Sequence, residues 1–238
     1  MAKIFYKEFD EQIVQLKKSG KSYKEIAEIL GLKRESVRGY IKLNHPELQT
    51  LKMLRGDLSY FHSIDSYAKA YLVGFIAADG ALVKSRKSVY LTITIKYEDK
   101  EVLEFLKNEL HDNRKLIEII RPSSYDPNKI IHHIRFCIGS VEIAKDLQNL
   151  GITCNKSLTI GNIIENIPFQ FRDAFIIGYF DGDGSVSRIS HSPLNRSLNV
   201  CIRGTRPFLV GLCNHLNIPL NYIKQYDSIP QLMITNKK

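Results

Sequence analysis

The sequence predicts an α+β protein: a small all-α module, then two pseudo-symmetric half-units of order helix, strand, strand, helix, strand, strand, the first with a closing helix. Three observations carry this reading. An apolar segment ending in Asp-Gly occurs twice, as "AYLVGFIAADGAL" at residues 70–82 and "FIIGYFDGDGSV" at 175–186, and recurrence of one unit marks an internal repeat. Each copy leads into a stretch of alternating apolar and polar residues, the period of a half-buried strand. Residues 1–44 instead carry apolar residues at helical spacing, interrupted by Gly20 and Gly31.

In the opening module, Phe9, Ile13, Val14 and Leu16 give the first helix an apolar stripe that ends at Ser19-Gly20. Ser22 caps the second helix, and Glu25 completes a capping box ahead of Ile26, Ala27, Ile29 and Leu30. Gly31 stops it. In the third, over 33–42, Val37, Tyr40 and Ile41 can turn inward while Lys33, Arg34, Arg38 and Lys42 stay outside. Residues 45–66 hold no sustained period and read as a connector.

The first half-unit, 67–151, opens on the motif helix. Its strand over 89–96 sets Val89, Leu91, Ile93 and Ile95 on one face and Tyr90, Thr92, Thr94 and Lys96 on the other. A helix over 99–110, strands near 115–121 and 129–138, and a closing helix over 141–150 complete it. Residues 152–170 form a linker. The second half-unit, 171–238, alternates Leu198, Val200 and Ile202 with Asn199, Cys201 and Arg203, then continues with a helix over 207–216 opening on Pro207. Strands follow near 220–225 and 231–235. No counterpart of the 141–150 helix is found, so a C-terminally truncated form with a less stable second half is expected.

Thirty-four Lys+Arg against 25 Asp+Glu leave a formal charge of +9, which favours a polyanionic partner, nucleic acid first. Apolar residues at 44 % with only 14 Gly and 8 Pro exclude fibrous and disordered classes. The longest apolar stretches, around 71–78 and 175–180, fall short of the roughly 20 residues that span a bilayer, and the N-terminus lacks a signal peptide's apolar run. The expectation is an intracellular protein, cytoplasmic or nucleoid-associated, with no membrane partner. The four cysteines are scattered and the seven histidines show no ligand spacing, so free thiols and no structural zinc are expected.

"YLVGFIAADG" and "FIIGYFDGDG", with the strands that follow them, resemble the name-giving motif and half-unit of the LAGLIDADG homing endonucleases, over residue 67 to the C-terminus. "SGKSYKEIAEILGLKRESVRGYIK" resembles a helix-turn-helix module, whose third helix lies in the DNA major groove. The alternative for that module is a small bundle with a solvated basic face. The residues themselves explain the motif. Gly74 and Ala78, and likewise Gly178 and Gly182, lie four apart, so two small-residue seams let the motif helices pack closely as a pseudo-dimer. That packing would deliver Asp79 and Asp183 side by side, although either alone is an ordinary helix-end residue. Paired carboxylates facing a polyanion call for divalent cations, and oxygen ligands suit Mg²⁺.

The resemblance implies a saddle of two sheets over double-stranded DNA, phosphodiester hydrolysis at a long asymmetric site, and a monomer with pseudo-twofold symmetry. It implies Asp79 and Asp183 as metal ligands, helped by the carbonyls of Ala78 and Gly182. Lys96 and Arg203, paired through "TIK" and "CIR", and Lys156 would stabilise charge on the phosphate. Lys33, Arg34, Arg38 and Lys42 would contact DNA from the N-terminal module. Lys84, Arg86, Tyr90, Thr92, Thr94, His133 and Arg135 would read one half-site, and Ser187, Arg188, Asn199 and Cys201 the other. Two alternatives keep the fold: a non-catalytic DNA-binding regulator, against which both retained acids argue, and an RNA intron-splicing maturase. An intein is excluded by the initial Met and the final Asn-Lys-Lys.

Overall fold

The computed structural model describes residues 8–49, 56–85, 88–192, 195–226 and 229–235. The chain divides into two compact units, Met1–Asp57 with His111–Lys115, and Leu58–Leu110 with Leu116–Lys238. Among the described residues no helix is long and apolar enough to cross a membrane.

The first unit contains α1 (Asp10–Lys18), α2 (Tyr23–Leu30), α3 (Arg34–Asn44) and a single turn, α4 (Pro46–Gln49). Asp10 and Glu11 in the first turn of α1, with Lys17 and Lys18 in its last, complement the helix dipole. The capping box before α2 is present: Ser22 N–H donates to Glu25 Oε2 at 2.9 Å, and Glu25 N–H donates to Ser22 Oγ at 3.2 Å. Gly31 ends α2 in the left-handed region at φ +65°, which glycine adopts without Cβ strain. Ile13, Ile26, Ala27, Val37 and Ile41 form the core, and Leu48 of α4 joins them. The segment read as connector thus contributes Leu48 to this core through a turn of helix.

The second unit repeats itself. Helix α5 (Tyr67–Asp79) leads into β1 (Gly80–Lys84) and β2 (Val89–Lys96); α6 (Glu101–Glu109) follows, then β3 (Ile117–Pro122), β4 (Ile130–Gly139) and α7 (Val141–Asn149). A single turn, α8 (Lys156–Thr159), leads to the second copy: α9 (Arg172–Asp183), β5 (Gly184–Ser192), β6 (Asn195–Arg203), α10 (Arg206–Leu216), β7 (Ile223–Tyr226) and β8 (Ile229–Thr235). The two antiparallel sheets have matching orders, β1-β2-β4-β3 and β5-β6-β8-β7. Side-chain caps set the helix starts, with Ser66, Ser140 and Thr205 accepting from Lys69, Ile143 and Phe208 N–H. Residues 220–222 form a 3₁₀ turn after Pro219 rather than the start of a strand, so β7 begins at Ile223.

Leu91, Ile93, Ile95, Ile134, Phe136 and Ile138 face the core from the first sheet, and α7 adds Ile143, Ala144 and Leu147. The linker also contributes, since Ile152, Ile160, Ile163, Ile164 and Ile167 are all buried. In the second sheet Ile202 and Leu232 are buried, whereas Val186 and Leu198 on the same side are exposed.

Helix α5 is apolar on every side and buried from Leu72 through Ala78, as a helix enclosed between a sheet and another helix must be. Its partner is α9. A Cβ on Gly74 would overlap the carbonyl oxygen of Phe175, and a Cβ on Gly178 would overlap that of Tyr71. The contact is backbone on backbone, so no side-chain rotation can relieve an added methyl. Gly178→Ala is expected to destabilise the second unit by at least the ~1–3 kcal/mol of an overpacked core. Gly161→Ala is the control, because nothing lies within 4 Å of a Cβ there. Urea unfolding of both variants checks this.

Candidate active site

The seam ends in the two motif acids. Gly182, one residue before Asp183, leaves space beside the other helix: a Cβ there would overlap the Ala78 methyl and lie 3.1 Å from Asp79 Oδ2. Asp79 and Asp183 therefore meet across Ala78 and Gly182. Both carboxylates remain open to solvent at the helix ends. Partial desolvation pushes the pKa of each above the ordinary aspartate value; the charge of Asp183 raises Asp79 further, and Asp99 adds to it.

Cationic groups partly offset this. Lys156, which the resemblance also assigned to this site, starts α8 in the linker and is buried, with its ammonium donating to the carbonyl oxygen of Ala78. Its charge acts on both acids, while burial lowers its own pKa. Arg203 acts on Asp183. Tyr179, buried on α9, donates to the carbonyl oxygen of Arg203 at 3.0 Å and also reaches Asp183. Burial and the neighbouring acid hold its phenol well above the usual range. The first copy carries Phe75 at this place, and that Phe-to-Tyr difference directly after the aligned glycines, Gly74 and Gly178, is the sequence signal that could have found Tyr179. Across the seam, Tyr71 donates to Asp181 at 2.9 Å, and burial raises its pKa to about 12.

The ladder registers correct the pairing of Lys96 with Arg203. Gly80 faces Ile93 and Gly184 faces Ile202, so Ile202 corresponds to Ile93 and Arg203 to Thr94. Lys96 lies two residues further along, opposite His133, because β2 runs past the equivalent point before a 3₁₀ turn at Tyr97–Asp99. Arg135 reaches the Thr94 position from β4, with its Nε–H donating to Thr94 Oγ1 at 2.9 Å.

The outer sheet faces, away from the core, assemble most of the remaining residues. Tyr90, Thr92, Thr94, His133 and Arg135 share one face, and Tyr90 packs over Gly139, where a Cβ would meet its ring. Ile117, Ile119 and Arg121 of β3 belong to this face too, by their pairing with Arg135, His133 and Ile131. Ser187 and Cys201 lie on the outer face of the second sheet, where Lys224 and Gln231 pair in line with Arg203. Cys201 donates to Gln231 Oε1 at 3.3 Å. Three calls need correction. Lys84 pairs with Val89 and Arg188 with Leu198, which puts both on the apolar-face side. Asn199 is on the outer face but only 7 % exposed, its Oδ1 accepting from Thr235 Oγ1 at 3.1 Å. Arg86 lies outside the described residues.

On α3, Arg34, Arg38 and Lys42 are exposed and spaced four apart, which sets them on one face, and Lys33 precedes them at the N-cap. Val37 and Ile41 are buried behind them.

Comparison with known proteins agrees with this architecture. A helix-turn-helix domain family model matches residues 11–45. No curated protein matches the chain in sequence. Among solved structures, the homing endonuclease I-WcaI bound to its DNA recognition sequence superposes with a TM-score of 0.51 at 18 % identity, covering 87 % of this chain and 85 % of that one. The LAGLIDADG meganuclease I-CpaMI bound to uncleaved DNA gives 0.45 at 14 % identity over 70 % and 79 %. The I-LtrWI LAGLIDADG homing endonuclease bound to target DNA gives 0.43 at 13 % over 71 % and 78 %. Over the superposed residues this chain has the fold of the homing endonuclease I-WcaI.

The raised acid pKa values fix a sign. A carboxyl whose folded pKa exceeds its unfolded value favours the folded state below the ordinary aspartate range and loses that contribution as pH rises through the folded pKa. Asp79→Asn and Asp183→Asn should therefore each raise the thermal midpoint at neutral pH without divalent cations, and the gain should vanish in acid. Calorimetric scans across pH check both.

Proposed function

From a LAGLIDADG endonuclease fold joined to a helix-turn-helix module, we propose that this chain is a site-specific double-strand DNA endonuclease that hydrolyses phosphodiester bonds with a divalent cation. The observation that carries the reading is the delivery of Asp79 and Asp183 to one point by a backbone-on-backbone seam. Oxygen donors suit Mg²⁺, and two carboxylates with raised pKa values, the Ala78 carbonyl and, as the family resemblance implies, the Gly182 carbonyl would form such a site. When bound, the ion would supply Lewis-acid stabilisation of charge building on the scissile phosphate. Arg203 would add positive charge beside Asp183, and Tyr179 would orient that carboxylate through the hydroxyl that also holds the Arg203 backbone. In this reading Lys96 stands further from the reacting phosphate than Arg203.

The outer sheet faces supply the contacts to double-stranded DNA. Tyr90, Thr92, Thr94 and Arg135 would meet one half-site, while Ser187, Cys201, Lys224 and Gln231 would meet the other. The two sets differ, so one chain acting as a pseudo-symmetric monomer reads an asymmetric target inside the cell. Arg34, Arg38 and Lys42 of α3 would extend the footprint by phosphate and base-edge contacts.

Selection of cut sites from a random duplex library with Mg²⁺ tests the assignment. Asp79→Asn or Asp183→Asn should lower cleavage by at least about 100-fold, the scale of losing charge stabilisation in a transition state, with DNA binding retained. Undiminished cutting overturns the metal-ligand roles. Binding without cleavage by the native chain would point to a regulator, and preferential intron RNA binding to a maturase. For the N-terminal module, Arg38→Ala should weaken binding and reduce the salt slope by about 1, one phosphate contact's counterion release. An unchanged slope gives α3 another task.

A further inference from the structure

Lys156 is only 8 % exposed, although lysine is rarely buried without a partner. A buried charge persists where opposite charge and hydrogen bonds compensate its lost hydration. Here the compensation is specific. The ammonium donates to the Ala78 carbonyl and lies within the field of both Asp79 and Asp183. That carbonyl and those carboxylates are the oxygen donors that the endonuclease reading assigns to a divalent cation. Two cations cannot share them, because like charges a few ångströms apart repel strongly even in a half-solvated site.

We propose that Lys156 is a resident counter-ion, whose ammonium holds the divalent-cation position of the cation-free protein and must leave the Ala78 carbonyl when the cation loads. The inference rests on the metal-dependent reading above. The side chain is able to make this move without refolding, since the lysine stem is flexible. Metal entry and Lys156 withdrawal are then one coupled exchange. It keeps the paired acids compensated between encounters with DNA, and it weakens metal binding by the cost of expelling the ammonium.

The test uses the full chain and Ca²⁺ without DNA. Lys156→Met keeps the length of the side chain and removes its charge. Calorimetric titration should show that K156M binds Ca²⁺ more tightly than the native chain, by roughly tenfold or more, the scale of removing one competing unit charge. On the native chain, amine-directed labelling read by mass spectrometry should modify Lys156 slowly without Ca²⁺ and severalfold faster at saturating Ca²⁺. This second measurement decides the matter if K156M fails to fold. Equal or weaker Ca²⁺ binding by folded K156M, or unchanged labelling of Lys156 at saturation, overturns the counter-ion role while leaving the metal reading intact. If neither protein binds Ca²⁺, the metal reading falls and the counter-ion role with it.

Discussion

The close approach of two helix backbones at Gly74 and Gly178 is the constraint on which the rest of the second unit depends. With carbonyls from each helix against the Cα of the other, the seam leaves no room for axial sliding or for a side chain between the helices. Both helices end in aspartate directly before a strand, so the seam also fixes where the two carboxylates meet and where each sheet begins. Gly182 extends the same logic to the last turn, because the missing Cβ leaves room for the Ala78 methyl and the Asp79 carboxylate. Packing and chemistry are therefore set by the same few glycines, which gives the motif more than a catalytic reason for its small residues.

The site balances charge asymmetrically. Lys156, the Tyr179 hydroxyl and Arg203 all act on Asp183, whereas of these three only Lys156 acts on Asp79. Asp99 adds further negative charge on the Asp79 side. Pseudo-symmetry of the backbone thus coexists with two chemically different halves. The difference arises from single positions: Tyr179 against Phe75, and Arg203 against Thr94.

Much of this was legible in the sequence, because the signals were local. The duplicated motif, the Ser22–Glu25 capping box and the alternation of Leu91, Ile93 and Ile95 each depend on neighbours within a few residues. What was not legible depends on pairing across strands. Lys84 and Arg188 look like groove-facing cations, yet their register partners Val89 and Leu198 turn them to the opposite side. Lys96 and Arg203 end similar tripeptides, but β2 is longer past the motif than β6, so matching letters did not match positions. The buried isoleucines between Ile152 and Ile167 show no period because the segment is a chain of short turns, each supplying one or two side chains to the core. Burial of Asn199 depends likewise on a strand more than thirty residues away, through its partner Thr235.

Lys156 comes from the segment that joins the repeats, a segment the chain has once, and its charge acts on the aspartates that end both motif helices. A homodimer built from two copies of the first half-unit and its linker would instead bring two such ammonium groups to one pair of acids. Covalent fusion of the repeats is therefore more than a way to read unlike half-sites. It lets one unrepeated side chain serve a pair of repeated acids, a one-to-two arrangement that exact symmetry would forbid.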